Sequence, residues 1–298
     1  LPKKTKKQKK KKDDIMEKLI KFVEKNIIKS DIDILKEKGG NAFYAYHIEK
    51  DSQLLLMAHV DIARGREGKI SKINKYLYKC IGADDRLGVA IIEFLLEKGY
   101  KFNWILTNGE ECGGVGAGKM IKELKLKEMF KHVNLVIGLD RSGSSHYVSY
   151  SEPYDDYSDI LIKAGLIDEG CGSYSDCKDI ADCLGVWHIN IAVGYHNEHT
   201  DKEYFNINET EYAVYVVENL LKRKDIPKTK TVGKSYLNYK FNRRYDYEYD
   251  DWYYDEYPSL SKKISSDDEI TLSIVNKLLK KYKYLFIEKM NIYFNIDK

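Results

Sequence analysis

Between residues 42 and 221, short apolar runs alternate with segments whose apolar residues recur at helical spacing, and this alternation limits the fold more than any other feature. Strand-like runs are expected at Ala42–Ile48, Gln53–Val60, Tyr76–Cys80, Phe102–Thr107, Leu135–Leu139, His146–Tyr150 and Trp187–Val193. Helical patterns fall at Leu87–Lys98, Val115–Leu124, Asp155–Ala164, Ser175–Leu184 and Asn208–Leu221. A further amphipathic helix is expected from a cap at Asp13 or Asp14, with Ile15, Leu19, Phe22, Val23 and Ile27 on one face. Four polar residues, Glu49 to Ser52, separate the first two runs, so the pair reads as a hairpin. Strands and helices in this order predict an α/β three-layer sandwich with a mixed, mainly parallel central sheet.

The chain has 298 residues, 43% of them apolar, which is enough for a large core. Its 50 basic and 47 acidic residues leave a net charge of +3, so the overall charge gives no reason to expect nucleic acid or a membrane as partner. No run approaches the roughly 20 apolar residues that cross a bilayer. Five cysteines, an odd number in a chain of this size, read as reduced thiols rather than a disulfide framework. With no secretory pattern behind the N-terminal lysines, the expected location is the cytoplasm. Residues 1–12 read as a basic, disordered tail, with a nucleic-acid-binding arm as the alternative. Residues 13–224 read as the catalytic domain. Composition changes after Lys224, and residues 225–298 read as a Tyr- and charge-rich extension with a helix over Ile270–Phe286.

Chemistry concentrates where the expected strands end, which is where open α/β sheets bind ligands. His59-Val60-Asp61 closes one strand. Residues i and i+2 of an extended chain point the same way, so Asp61 can reach the far nitrogen of His59 and fix its tautomer. Taken alone, such a pair fits a structural role as well. Asp84 and Asp85 precede an apolar helix and alone fit caps. Glu110 and Glu111 follow another strand, with Gly113 and Gly114 behind them. Neighbouring glutamates repel unless a cation lies between, and one can bind metal while the other takes a proton from bound water. Asp140 closes a buried run, an expensive place for an unpaired acid. His196 and His199 follow the last strand. Imidazoles and carboxylates suit zinc. Two imidazoles, one shared carboxylate and one private carboxylate on each side would make a centre of two ions about 3.5–4 Å apart.

Ala58-His59-Val60-Asp61, Gly82-Ala83-Asp84-Asp85-Arg86-Leu87-Gly88, Gly109-Glu110-Glu111, Leu139-Asp140-Arg141, and Asn197-Glu198-His199-Thr200 with Glu203-Tyr204 together resemble the co-catalytic zinc exopeptidases, the superfamily of the M28, M20 and M42 peptidases. The resemblance covers about residues 53–210. It implies that His59, Asp84 and Asp140 hold one Zn2+ and that Asp84, Glu111 and His199 hold a second, with Asp84 bridging. It also implies that Asp61 orients His59, that Glu110 is the general base, and that the Asp84–Asp85 peptide is cis. Co2+ or Mn2+ are possible substitutes. The spacings His59–Asp84 and Asp140–His199 leave no room for an inserted domain, so the closest subgroup is the single-domain M28-like aminopeptidases. Gly172-Ser173-Tyr174-Ser175-Asp176 resembles a segment before the last histidine in bacterial members. The expected activity is cleavage of a peptide or small amide, with aminopeptidase favoured. A deacylase or dipeptidase is the nearest rival, and a non-catalytic metal- or nucleic-acid-binding protein a more distant one. Asp85 or Glu152 could meet a substrate amine, and Arg86 or Arg141 a carboxylate. His196 is a second candidate ligand beside His199.

Overall fold

Four parallel strands buried at almost every position organise the fold: β2 (Leu54–His59), β5 (Asn103–Thr107), β6 (Leu135–Arg141) and β9 (Trp187–Ala192). Continuous apolar runs of this kind need cover on both sides. In the computed structural model, which describes residues 6–63, 67–150, 155–172 and 174–227, helices supply that cover on both faces. Successive residues of β2 separate cleanly. Leu54, Leu56 and Ala58 join one core, while Leu55 and Met57 join the other. The larger core is closed by α1 (Lys6–Ile27), α3 (Ala83–Glu97), α6 (Asp155–Ala164) and α8 (Ile207–Leu221). The smaller is closed by α4 (Val115–Glu123), α5 (Leu126–Met129) and α7 (Asp176–Leu184). The result is the expected three-layer α/β sandwich.

The central sheet has seven strands, adding β1 (Tyr44–His47), β7 (His146–Ser149) and β8 (Ile167–Cys171), in the order β1-β5-β2-β6-β9-β7-β8. Only the β1–β5 and β7–β9 pairs are antiparallel. The hairpin expected from the first two runs does not form. Both are strands, but β5 lies between them, antiparallel to β1 and parallel to β2. A short linker is compatible with direct pairing, yet the wholly buried β5 gains more from two neighbours than from an edge.

A second, antiparallel sheet of β10 (Tyr195–His196), β11 (Tyr204–Asn206), β4 (Leu77–Ile81) and β3 (Lys69–Lys72) lies in the order β10-β11-β4-β3. Of these, only β4 coincides with a strand expected from the sequence. Also unforeseen were β8, α5 and α2 (Asp31–Glu37), the last capped by Ser30, whose hydroxyl accepts from Asp33 N.

Neither Asp13 nor Asp14 caps α1, which already begins at Lys6; residues 6–12 of the expected tail are therefore helical. Lysine is a good helix former, and Lys12 is tied to Glu211 of α8 at 3.0 Å. Leu19 and Val23 are fully buried, worth about 1.5–3 kcal/mol each by burial. The cap of α8 is Asn206, two residues before the expected start. Most of the expected C-terminal extension, residues 228–298, lies outside the described residues, as do residues 1–5. Among the described residues no helix is long and apolar enough to cross a membrane. Cys80, Cys112, Cys177 and Cys183 are free thiols.

Candidate metal centre

Because β2, β5, β6 and β9 run parallel, their C-terminal ends open on one edge of the sheet. His59 is the last residue of β2, Glu110 and Glu111 follow β5, and Asp140 lies near the end of β6. The small sheet delivers the other two residues. β4 leads through Gly82, in the left-handed region at φ 90°, into Asp84 at the head of α3. His199 lies in the turn between β10 and β11, and β11 is bonded to β4.

The five side chains expected to act together are brought together. Asp84 sits between the two imidazoles: its Oδ1 is 3.2 Å from His59 Nε2 and its Oδ2 is 3.1 Å from His199 Nε2. Asp140 Oδ1 is 3.4 Å from His59 Nε2, and Glu111 Oε1 is 2.9 Å from His199 Nε2. One potential ligand atom from each of His59, Asp84 and Glu111 lies within 4.8 Å of the others. The Asp84–Asp85 peptide is cis.

Four of these groups, His59, Asp84, Glu111 and Asp140, are held from behind. His59 Nδ1 meets both the Asp61 carboxylate at 3.3 Å and the Asp61 carbonyl at 3.2 Å. The same carboxylate accepts the backbone N–H groups of Glu110 and Glu111, each at 3.1 Å, so Asp61 fixes the imidazole and the glutamate turn together. Glu203 is buried and accepts from Gly82 N at 3.0 Å and Asp84 N at 2.9 Å. Asp85 is fully buried and accepts from His59 N and Gly88 N. The Asp140 carboxylate accepts from Tyr195 Oη at 3.2 Å and Ser175 Oγ at 3.3 Å.

So many buried acids need positive charge. Burial pushes Glu110 up to about 9, Asp140 up to about 7 and Asp176 up to about 6, and it raises Asp85 well above the carboxylate range. Burial pulls the His59 imidazole down, but Asp140, Asp61 and Asp84 outweigh it and raise it well above its ordinary value. Hydrogen bonds to Asp84 and Glu111 push His199 up to about 11. Asp84 Oδ1, shielded from solvent, has no partner in hydrogen-bond geometry despite its proximity to His59. An orphaned buried carboxylate oxygen among imidazole and carboxylate donors fits a divalent cation.

Other expectations fall away. His196 binds Glu209 at 2.6 Å and stacks on Tyr204, so it does not compete with His199. Asp85 is committed to backbone N–H groups and has no free face for a substrate amine. Arg86 is buried against Asn26 O, Lys29 O and Asp31, tying α3 to the end of α1 rather than meeting a carboxylate. Arg141 pairs with Glu169 at 3.0 Å. Glu152 lies outside the described residues. Tyr195, Ser175 and Asn190 carry no mark of a role in the sequence. Each lies in or beside a segment already singled out, but a side chain that holds a ligand from behind carries no spacing signal.

A seven-stranded mixed sheet between helices, with acids and imidazoles at its C-terminal edge, is a fold that solved peptidase structures share. No family model matches the chain, and no curated protein matches it. Among solved structures it is similar to aminopeptidase PepT from Bacillus cereus, at 15% identity over 69% of this chain and 98% of that one, with a TM-score of 0.52. It is also similar to a tripeptidase from Staphylococcus aureus, at 14% identity over 70% and 98%, with a TM-score of 0.53. The TET1 peptidase of Pyrococcus horikoshii follows at 13% identity over 68% and 99%, with a TM-score of 0.50. At such identities the likeness speaks for the fold, and it does not single out the M28-like subgroup.

Proposed function

We propose that this chain is a zinc-dependent hydrolase that cleaves peptide bonds, acting as an aminopeptidase in the cytoplasm. The observation that carries the reading is the position of Asp84, with one oxygen toward His59 and the other toward His199. In this reading His59, Asp84 and Asp140 hold one ion, and Asp84, Glu111 and His199 hold the other. Co2+ or Mn2+ could replace zinc in vitro. Such a pair of ions supplies acidified water and a polarised carbonyl. The chain's own residues supply the rest. With the positive charge of the ions beside it, Glu110 would be ionised despite its burial, and would take the proton of the attacking water at its carboxylate and pass it to the leaving amine. Asp61 keeps His59 in one tautomer and holds the backbone of Glu110 in place. The choice of peptide substrates is supported by the aminopeptidase and tripeptidase of similar fold.

The test is a zinc assay together with turnover on aminoacyl, N-acyl and carboxy-terminal substrates. Aminoacyl amides and short peptides should be cleaved fastest; faster turnover of N-acyl or carboxy-terminal substrates would replace the aminopeptidase reading with a deacylase or carboxy-terminal one. Glu110→Gln should keep both ions and lose about 10²–10⁴ in kcat. Unchanged turnover in that variant would refute its role as base. Loss of Glu111, by contrast, should empty one of the two positions.

A further inference from the structure

Asp140 does not leave β6 as an ordinary strand residue. β6 and β9 run in register from Leu135 opposite Trp187 to Gly138 opposite Asn190; beyond that the register shifts, and Arg141 faces Ala192. Three steps on β6 therefore match two on β9, so β6 carries one extra residue, a bulge beside the metal centre. A bulge takes backbone groups out of the ladder, and buried backbone groups need partners. At Asp140 one side chain supplies both. Asn190 Oδ1 accepts from Asp140 N at 3.0 Å, and Asn190 Nδ2 donates to Asp140 O at 2.6 Å. The same Nδ2 donates to Tyr150 Oη at 2.9 Å. Asn190 is 1% exposed. A carboxamide presents an acceptor and a donor side by side, as a strand backbone would; Asp lacks the donor and Leu lacks both. Gly138 leaves the space for it, since a Cβ there would stand 3.0 Å from Asn190 Oδ1 and 2.9 Å from Cys177 Sγ.

We propose that Asn190 is a positioning residue: it pins the bulge that aims the Asp140 carboxylate at His59, and so sets the affinity of the metal position to which Asp140 belongs. This rests on the two-zinc reading. Tyr195 and Ser175 hold the Asp140 carboxylate itself, whereas Asn190 holds the backbone that carries it. A fault in that support should fall on the His59/Asp84/Asp140 position and spare the Asp84/Glu111/His199 position, whose residues come from other elements.

The test is a competitive zinc titration against a chromophoric chelator, run on the intact chain and on Asn190→Leu, Asn190→Ser and Tyr150→Phe. The parent chain should bind two ions. Both Asn190 variants should keep one ion within about threefold of its parent affinity and bind the other about 10–100-fold more weakly. Tyr150→Phe removes only the outer bond to the carboxamide and should leave both constants within about threefold. If Asn190→Leu does not fold, the smaller Asn190→Ser carries the measurement. Equal weakening of both ions would mean general loosening and would overturn the proposal, as would two unchanged constants. A parent chain that binds no zinc would overturn the zinc reading itself and the proposal with it, a result distinct from failure in the variants alone.

Discussion

Replacing Gly88 with Ala should destabilise the protein, although helix propensity alone predicts the opposite. Gly88 lies inside α3, where Ala is ordinarily better by about 0.5–1 kcal/mol. A Cβ built there would stand 2.5 and 2.6 Å from the two Asp85 carboxylate oxygens and 2.7 Å from the Leu139 carbonyl oxygen. None of the three can yield cheaply. Leu139 O belongs to the backbone of β6, and Asp85 is fully buried and bound to His59 N and Gly88 N. Overpacking costs about 1–3 kcal/mol. Displacing a bonded carboxylate costs about 1.5–3 kcal/mol more. Less the propensity gain, the net loss is about 1.5–5.5 kcal/mol, or roughly 3–22 °C in Tm for a domain of this size. Gly118 of α4 provides the control, because a Cβ there meets nothing within 4 Å. Gly118→Ala should therefore stabilise by up to about 1 kcal/mol. Urea unfolding of the metal-free protein reads both, through the midpoint at constant m. If Gly88→Ala proves as stable as the parent, the account of Asp85 as a rigid support beneath His59 is wrong.

Two further outcomes follow from other buried groups. Glu203→Leu should cost about 3 kcal/mol or more, because the N–H groups of Gly82 and Asp84 lose their acceptor and stay buried; it should also lower zinc content, and a variant with full stability and full zinc would refute the role given to Glu203. Burial depresses His188 to about 4, while its imidazole accepts from Tyr150 N and stacks on the Tyr150 ring. A histidine with a depressed folded value contributes stability above its unfolded value of about 6.5, and that stability is lost as pH falls toward 4. The chain should lose about 3 kcal/mol from this group over that window, and His188→Phe should show a correspondingly shallower decline in urea midpoints between pH 7 and 4.5.

What could be read in the sequence was whatever leaves a local mark. The four central strands are buried on both faces, so their runs are continuously apolar and bounded within a residue or two. The catalytic candidates were legible because acids and imidazoles directly after such runs are costly without a ligand. Pairing was less legible. The β1–β2 linker looks like a turn whether or not β5 inserts, and nothing in either run reports a third strand arriving from 50 residues away. The small sheet was missed for a related reason: β10 has two residues and β11 three, too few to show alternation. The start of α1 was misplaced because a block of lysines carries no apolar stripe, and its order comes from contacts such as Lys12 with Glu211.

The missed small sheet bears directly on the chemistry. The clusters look alike in sequence, each placed at a strand end, but they arrive from two different sheets. His59, Glu111 and Asp140 stand on the edge of the large sheet, whereas Asp84 and His199 hang from the small one. In the two-zinc reading, Asp84 is therefore the joint as well as the shared carboxylate. Its backbone N–H is fixed by Glu203, which precedes β11 directly, and its two oxygens face one imidazole from each sheet. Glu203 locks the turn after β4 to the strand after His199, with Cys80 N bound to its carbonyl at 3.1 Å. In the two-zinc reading, the distance between the ions is then set by how the small sheet is tied to the large one. Asp61, Asn190 and Asp85 hold groups within the large sheet and the head of α3, and Glu203 alone among these supports acts on the small-sheet side. Removing Asn190 should weaken one position, whereas removing Asp61, which holds both His59 and the backbone of Glu111, or Glu203, which fixes the bridge, should disturb both.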